Sequence, residues 1–417
     1  MTLNNIDSSV HASADPERLV PTAEAARILG VRVETLYAYV SRGLLESFGG
    51  ARSRGRRFRL GDLARLKARS EARAGHTAVA AGALRWGEPV LDSAITAIDA
   101  RGPIYRGHVA VDLVRRGVTF EAVAELLFTG TLPTSPPSWA ARAYPRAGAH
   151  GERGTPLALG AAVLAAGLAD ESRHDAPREA ELSRARTLIP WLARSIGAAA
   201  PMRAKEDSVA ARAAVALGLR PTARVRAAID AALVLLADHE LNASSFAARV
   251  AASTGADLYA CLAAALGTAS GPLHGGAADR IEALLDAIGD PARVASEVEA
   301  RTRRGEGIPG FGHPLYPAGD PRATPLLERA VAIAPRSREV RIAFALGRRM
   351  EKTRGERPTV DLGLVALTAA LGAPRGAAAS LFVLGRTAGW VAHVIEQREA
   401  RFLLRPRARY VGPPPLP

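Results

Sequence analysis

The stretch from Gly271 to Arg322 sets the sharpest limits on what this chain can become. Two turns interrupt an otherwise helical pattern there: Gly-Pro-Leu-His-Gly-Gly-Ala (271 to 277) and Gly-Phe-Gly-His-Pro-Leu-Tyr-Pro-Ala-Gly-Asp-Pro-Arg (310 to 322). Each sets one histidine among glycines and prolines, where backbone can come close to a ligand and no bulky neighbour covers the imidazole. His274 stands just ahead of a helical pattern running from Asp279 to Ile288, at or near a helix N-terminus. The positive end of a helix dipole disfavours imidazolium, so a neutral His274 able to donate to a developing oxyanion is expected. A lone histidine in a glycine-rich turn is more often structural. Two such turns, the second ending in Asp-Pro-Arg, point to chemistry.

A chain of 417 residues can bury a large core and hold more than one domain. Apolar residues make up 48% and aromatics 5%, and the excess is alanine and leucine at helical spacing, which predicts an all-α protein. The net charge of +14 is carried almost wholly by arginine, and it is uneven. Between Arg18 and Arg73 stand 13 basic and 5 acidic side chains, so this short head holds more of the surplus than the rest of the chain together. The single cysteine, Cys261, lies in an apolar run and reads as a buried small hydrophobe. No Cys/His metal cluster, signal peptide or clean bilayer-length apolar run is evident, and a cytoplasmic protein is expected.

Residues 1–17 are polar and read as a disordered tail. In 18–73, Thr22 is the expected cap of a first short helix that Gly30 stops, and Val33 to Arg42 forms a second. Two short helices about a glycine turn make a helix-turn-helix, with a basic Gly-rich hairpin (Gly49 to Leu60) following as a wing. The run Ala-Ala-Arg-Ile-Leu-Gly-Val…Thr-Leu-Tyr-Ala-Tyr-Val resembles the winged DNA-binding heads of the mercury-resistance-regulator type. Arg32, Thr35, Tyr37 and Arg42 on the second helix, and Arg52, Arg54, Arg56 and Arg57 on the wing, are the candidate DNA contacts. A protein-protein clamp with a solvated basic wing is the alternative. Residues 74–87 read as a linker, and helical patterns run from about Phe120.

From Leu91 to Gly412 the motifs resemble the citrate synthase family of acyl-CoA condensing enzymes. Besides the two histidine turns these are Leu91-Asp-Ser-Ala-Ile-Thr-Ala-Ile-Asp with Tyr105-Arg-Gly-His108, Phe120 to Pro133, Asp238-His-Glu-Leu-Asn-Ala-Ser-Ser245, Val360-Asp361, Gly385-Arg-Thr-Ala-Gly-Trp390 and Arg405-Pro-Arg407. The resemblance implies a large helical domain (88–265 and 366–417) and a small mobile helical domain (266–365) that closes over substrate.

It implies a reaction as well: acetyl-CoA condenses with oxaloacetate, and the thioester is hydrolysed to citrate and CoA without a metal. Asp361 would abstract the α-proton, His274 hold the thioester oxygen and His313 donate to the oxoacid carbonyl. Arg322, Arg386 and Arg405 would bind the carboxylates with His239 as a further contact, Arg405 reaching in from the partner subunit of at least a dimer. Read alone, Asp361 would be a helix N-cap. His108, Trp390 and His393 read as structural packing. Two departures stand out. Pro317 occupies a place where the family often has a CoA-contacting basic residue, leaving Lys352 and Arg354 as candidates, and Leu362-Gly363-Leu364 follows Asp361 where an aromatic and Ser-Gly often stand. The alternatives are propionyl-CoA as donor, giving 2-methylcitrate, and a DNA-binding regulator whose condensing-enzyme body senses a ligand.

Overall fold

The computed structural model describes residues 19–41, 45–48, 56–63, 66, 91–140, 142–144, 154–175, 177–197, 207–406, 408 and 412–413. The chain divides into two compact units after Asp92. The tail (1–17), the linker (74–87), Arg42, Arg52 and Arg54 lie outside the described residues.

In the first unit, β1 (Leu19–Pro21) leads directly into α1 (Thr22–Leu29), α2 (Val33–Ser41) follows, and β2 (Arg57–Arg59) returns antiparallel to β1, Val20 opposite Phe58. Gly30 ends α1 at φ 67, as its lack of a Cβ allows. Thr22 is not the cap: it is the first helical residue, after Pro21, and its hydroxyl donates to the Arg56 carbonyl at 3.1 Å. Val20, Ala25, Ala26, Leu36, Leu45, Phe58 and Leu63 form a small core. Phe48 and Arg57, flanking the basic glycine-rich stretch, exchange two backbone hydrogen bonds of 2.8 Å.

The second unit is mostly helical, with a three-stranded antiparallel sheet at its start that helical periodicity alone does not reveal: β3 (Thr96–Asp99), β4 (Gly102–Tyr105) and β5 (His108–Val109). There follow α3 (Ala110–Arg115), α4 (Phe120–Thr129), α5 (Pro156–Leu168), α6 (Arg178–Ser195), α7 (Val209–Ala216), α8 (Ala223–Leu236), α9 (Ala243–Ser253), α10 (Leu258–Ala269), α11 (Ala277–Ile288), α12 (Val294–Arg303), α13 (Ala323–Ile333), α14 (Arg338–Arg354), α15 (Val360–Ala370) and α16 (Ala377–Ala400). Thr119, Thr155, Ser208, Thr222, Asn242 and Asp257 each cap a helix by accepting a backbone N–H, worth about 1 kcal/mol apiece. The limits expected at 266 and 366 fall inside α10 and α15. Both helices continue because their apolar faces stay buried, and the chain breaks a few residues later, at 270–276 and 371–376.

The long α16 is the spine of this unit. By length and composition it would cross a bilayer, but its most apolar stretch is wholly buried among α4, α6, α8, α9 and α10. Gly389 makes one close approach possible: its N–H donates to the Ala237 carbonyl at 2.9 Å, and a Cβ there would stand 2.2 Å from Asp238 Oδ1. The segment after α8 is thereby pressed onto the spine. Cys261 is buried, as expected, and burial pushes its thiol up to about 12.

Candidate active site

The first histidine turn joins α10 to α11. Gly275 N–H donates to the Ala269 carbonyl, which would sit 2.2 Å from a Cβ at position 275, so only glycine fits. That turn holds His274 half-buried one residue before the Gly275-Gly276 pair, with Leu273 beside it 93% exposed. Its Nε2 lies 2.8 Å from Ser244 Oγ. Ser244 Oγ in turn accepts from Trp390 Nε1 at 3.1 Å and donates to Asn242 Oδ1, the cap of α9, at 2.7 Å. The one Ser244 proton therefore decides the tautomer: given to Asn242, it leaves His274 to donate from Nε2, and only if turned to Nε2 does it leave the imidazole proton on Nδ1. Burial, and then the Arg386 charge, lower the His274 pKa to about 4. Both causes favour the neutral ring.

His313 is held by its own turn. Leu315 N–H donates to its Nδ1 at 3.2 Å, so the neutral ring carries its proton on Nε2. Burial, with Arg322 next, brings its pKa to about 4 as well. Its ring lies 4.9 Å from that of Tyr316 and 5.4 Å from that of His239. His239 is buried, its Nε2 is 2.8 Å from Tyr316 Oη, and burial together with Arg322 and Arg386 holds it well below the usual histidine range.

Asp320 and Arg322 form a buried fork. Arg322 Nε and Nη2 donate to the two carboxylate oxygens, each at 2.9 Å, and the Arg322 backbone N–H adds a third bond at 3.0 Å. Asp320 Oδ2 also accepts the Val360 N–H at 2.9 Å, fixing the first turn of α15. Burial opposes the Asp320 charge, but Arg322 holds its pKa below the usual carboxylate value. Asp361 follows Val360. It is the second residue of α15, not its cap, and Thr359 Oγ1 is 3.3 Å from its Oδ2. Burial raises its pKa against the pull of Arg322.

Arg386 is buried on α16 with its guanidinium 5.2 Å from the Phe382 ring, whose edge meets His274 at 6.0 Å. Arg386 Nε and Nη1, and Arg322 Nη1, are buried without a hydrogen-bond partner among the described residues. Desolvation, and then Arg322, lower the Arg386 pKa. The charges of both guanidiniums act on His239, His313 and Asp361, so these groups lie near one another. Buried, unpaired guanidinium donors are costly unless an anion meets them, and forks of this kind suit carboxylates.

Of the residues singled out in the sequence, His239, His274, His313, Arg322, Asp361 and Arg386 come together. Arg405 does not: it is exposed on the segment after α16 and bonds to none of the cluster within this chain. Lys352 and Arg354 are exposed in the last turn of α14, Arg354 donating to Thr302 Oγ1 at 2.6 Å. Trp390 and His393 do more than pack. Trp390 holds Ser244, and His393 Nε2 lies 3.4 Å from Asp238 Oδ1, both side chains fully buried. Sequence reasoning missed Ser244, Tyr316 and Asp320, although all three lie inside quoted motifs. Asn-Ala-Ser-Ser after a loop is a capping signal, and Asp-Pro-Arg is a fork spacing, so two of the three had a local cue.

In the first unit, Arg32, Tyr37, Arg56 and Arg57 are exposed and Thr35 is half-buried. The Arg56 guanidinium lies 5.3 Å from the Tyr37 ring, which joins the second helix to the edge of the basic stretch.

Residues 83–407 match the family model "Citrate synthase, C-terminal domain". The chain belongs to the citrate synthase family. Residues 21–70 match a "Helix-turn-helix domain". The citrate synthase of Haloferax volcanii is 33% identical over 344 residues, 75% of this chain and 90% of the relative. The 2-methylcitrate synthase of Shewanella oneidensis is 32% identical over 346 residues, 76% of this chain and 91% of the relative. Among solved structures, the citrate synthase of Thermoplasma acidophilum in ternary complex with carboxymethyl coenzyme A and oxaloacetate matches with a TM-score of 0.65. It is 28% identical, and the match covers 79% of this chain and 95% of that one.

The Asp320 fork carries a direct prediction for this citrate synthase homologue. Asp320→Asn leaves Arg322 buried without its counter-charge and loosens the start of α15, so unfolding in urea should lose about 3–5 kcal/mol. A loss below about 1 kcal/mol would mean that the fork does not organise the site.

Proposed function

We propose that the chain is a condensing enzyme that joins acetyl-CoA to oxaloacetate and hydrolyses the resulting thioester to citrate and CoA. The observation that carries this reading is one desolvated carboxylate, Asp361, among neutral imidazoles and two buried guanidiniums with unpaired donors. Asp361, its basicity raised by burial, removes a proton from the acyl α-carbon. His274 donates to the enolate oxygen from Nδ1, which requires Ser244 to turn its proton from Asn242 Oδ1 to His274 Nε2. His313 donates from Nε2 to the oxoacid carbonyl as it becomes an alkoxide. Preorganised donors of this kind contribute on the order of 3 kcal/mol each. Arg322 and Arg386 take the carboxylates, with His239 beside them. Lys352 and Arg354 are the candidates for the CoA phosphates.

Propionyl-CoA is the second donor to weigh, because a citrate synthase and a 2-methylcitrate synthase resemble the chain almost equally. One methylene is worth only about 1–3 kcal/mol in a pocket, so both thioesters are expected to react. The working unit we infer is a homodimer in which Arg405 completes the neighbour's site. Leu157, Leu164 and Leu168, 66%, 49% and 77% exposed, line one face of α5 at spacings of seven and four residues, an apolar stripe that a second copy would cover. The head we read as a winged DNA-binding module, on its surplus of arginine and its exposed Arg32, Tyr37, Arg56 and Arg57.

Release of CoA from acetyl-CoA plus oxaloacetate should be robust in the wild type and fall roughly 10²–10⁴-fold in Asp361→Ala. Turnover should decline at acid pH as Asp361 protonates above the ordinary carboxylate range, while His274 and His313 stay neutral down to about pH 4. A folded protein inactive with both thioesters would instead favour a ligand-sensing body. The double substitution Leu164→Glu/Leu168→Glu should give monomers in sedimentation and cost activity together, whereas an active monomer would remove the shared-site reading. In a gel shift on the DNA upstream of its own reading frame, Arg56→Ala/Arg57→Ala should lower the salt slope by about 2. Wild-type binding no better than to scrambled DNA would leave the head without sequence recognition.

A further inference from the structure

Tyr316 has no part in the chemistry described so far, yet it touches three of the groups that carry it. It stands three residues after His313, in a turn closed by its own N–H donating to the His313 carbonyl at 2.8 Å. The side chain is 3% exposed. Its ring lies 4.9 Å from the His313 ring, tilted by 40°, and the Arg322 guanidinium sits 5.4 Å from its centre. Its hydroxyl is 2.8 Å from His239 Nε2, and among the described residues it has no other hydrogen-bond partner.

A buried phenol has one proton to give, and leaving it ungiven is costly. The acceptor within reach is His239 Nε2, because the His239 ring is neutral here. Burial keeps the phenol itself protonated, with its pKa pushed up to about 12. Once Nε2 accepts, the imidazole proton of His239 is confined to Nδ1, and His239 becomes a donor of fixed direction.

We propose that Tyr316 is a positioning residue for the 2-oxoacid: its hydroxyl fixes the His239 tautomer while its ring holds His313 and Arg322 in register. The inference rests on the condensation reading, since it assigns His239 to the oxoacid and His313 to that acid's carbonyl. Tyr316 need not touch substrate. It acts through three groups that would.

Tyr316→Phe separates the two contributions, because it keeps the ring against His313 and Arg322 and removes the hydroxyl alone. Oxaloacetate is titrated into the full-length protein by calorimetry with no acyl-CoA present, and steady-state kinetics are then measured for both substrates. The expected result is an oxaloacetate Kd and KM weaker by about tenfold, with the KM for acetyl-CoA unchanged. In a His239→Gln background the same substitution should have no further effect, because the hydroxyl acts through that ring. Wild-type affinity for oxaloacetate in Tyr316→Phe, or the same added loss with and without His239, overturns the proposal while wild-type turnover leaves the condensation reading standing. A wild-type protein that neither binds oxaloacetate nor turns over removes both.

Discussion

The buried fork between Asp320 and Arg322 is the constraint on which the site depends. Two charges taken out of water cost several kcal/mol each unless geometry returns it. Here Asp320 accepts two guanidinium N–H bonds, the backbone N–H of Arg322 and the N–H of Val360. The last bond matters most for function. It makes one carboxylate orient the guanidinium and also set the first turn of the helix that presents Asp361. The second histidine turn and α15 are therefore one mechanical piece, and the separation of Asp361 from Arg322 is set by hydrogen bonds rather than by loop flexibility.

The other half of the site hangs on one face of α16. Phe382, Arg386, Trp390 and His393 follow at spacings of four, four and three, so they share a stripe. Phe382 borders His274, Arg386 supplies unpaired donors, Trp390 bonds the serine that bonds His274, and His393 faces Asp238. Asp238 precedes His239, and Gly389 lets that segment lie directly against the helix. One helix thus sets His274 through Ser244 and the segment that carries His239 through Asp238. A helix buried this completely is a stiff reference for both.

Much of this was legible in the sequence because the chemistry sits in short turns whose residue types are themselves diagnostic. His274 and His313 stood out in that way, whereas His239, Arg322, Asp361 and Arg386 were singled out only through the family's motifs, and Gly30 ended its helix as expected. What remained hidden is what two distant segments decide together. Ser244 meets His274 across 30 residues and Trp390 across 146, and Tyr316 meets His239 across 77. No periodicity encodes such pairs, so Trp390 and His393 read as packing and Tyr316 as part of a turn. The small sheet at 96–109 escaped for a different reason: strands of two to four residues are too short for alternation to show. Arg405 was legible as a motif for a neighbour's site, and within its own chain it is exposed and apart from the cluster.

Burial works on this site in two directions at once, and the division of labour follows from that. The same removal from water lowers the histidine pKa values and raises that of Asp361, because in each case it opposes the charged form. Arg322 and Arg386 reinforce the effect on the imidazoles and oppose it on the carboxylate. A lysine in place of either histidine would be a cation or, once desolvated, a weak donor competing for protons with the base. A neutral imidazole escapes that conflict, since it donates a hydrogen bond with no charge of its own for the guanidiniums to repel. The two arginines can therefore stand beside these imidazoles without charge repulsion. Burial keeps the Asp361 pKa raised despite them, and that balance, more than any single contact, lets a carboxylate of raised basicity and neutral imidazoles stand beside two buried guanidiniums.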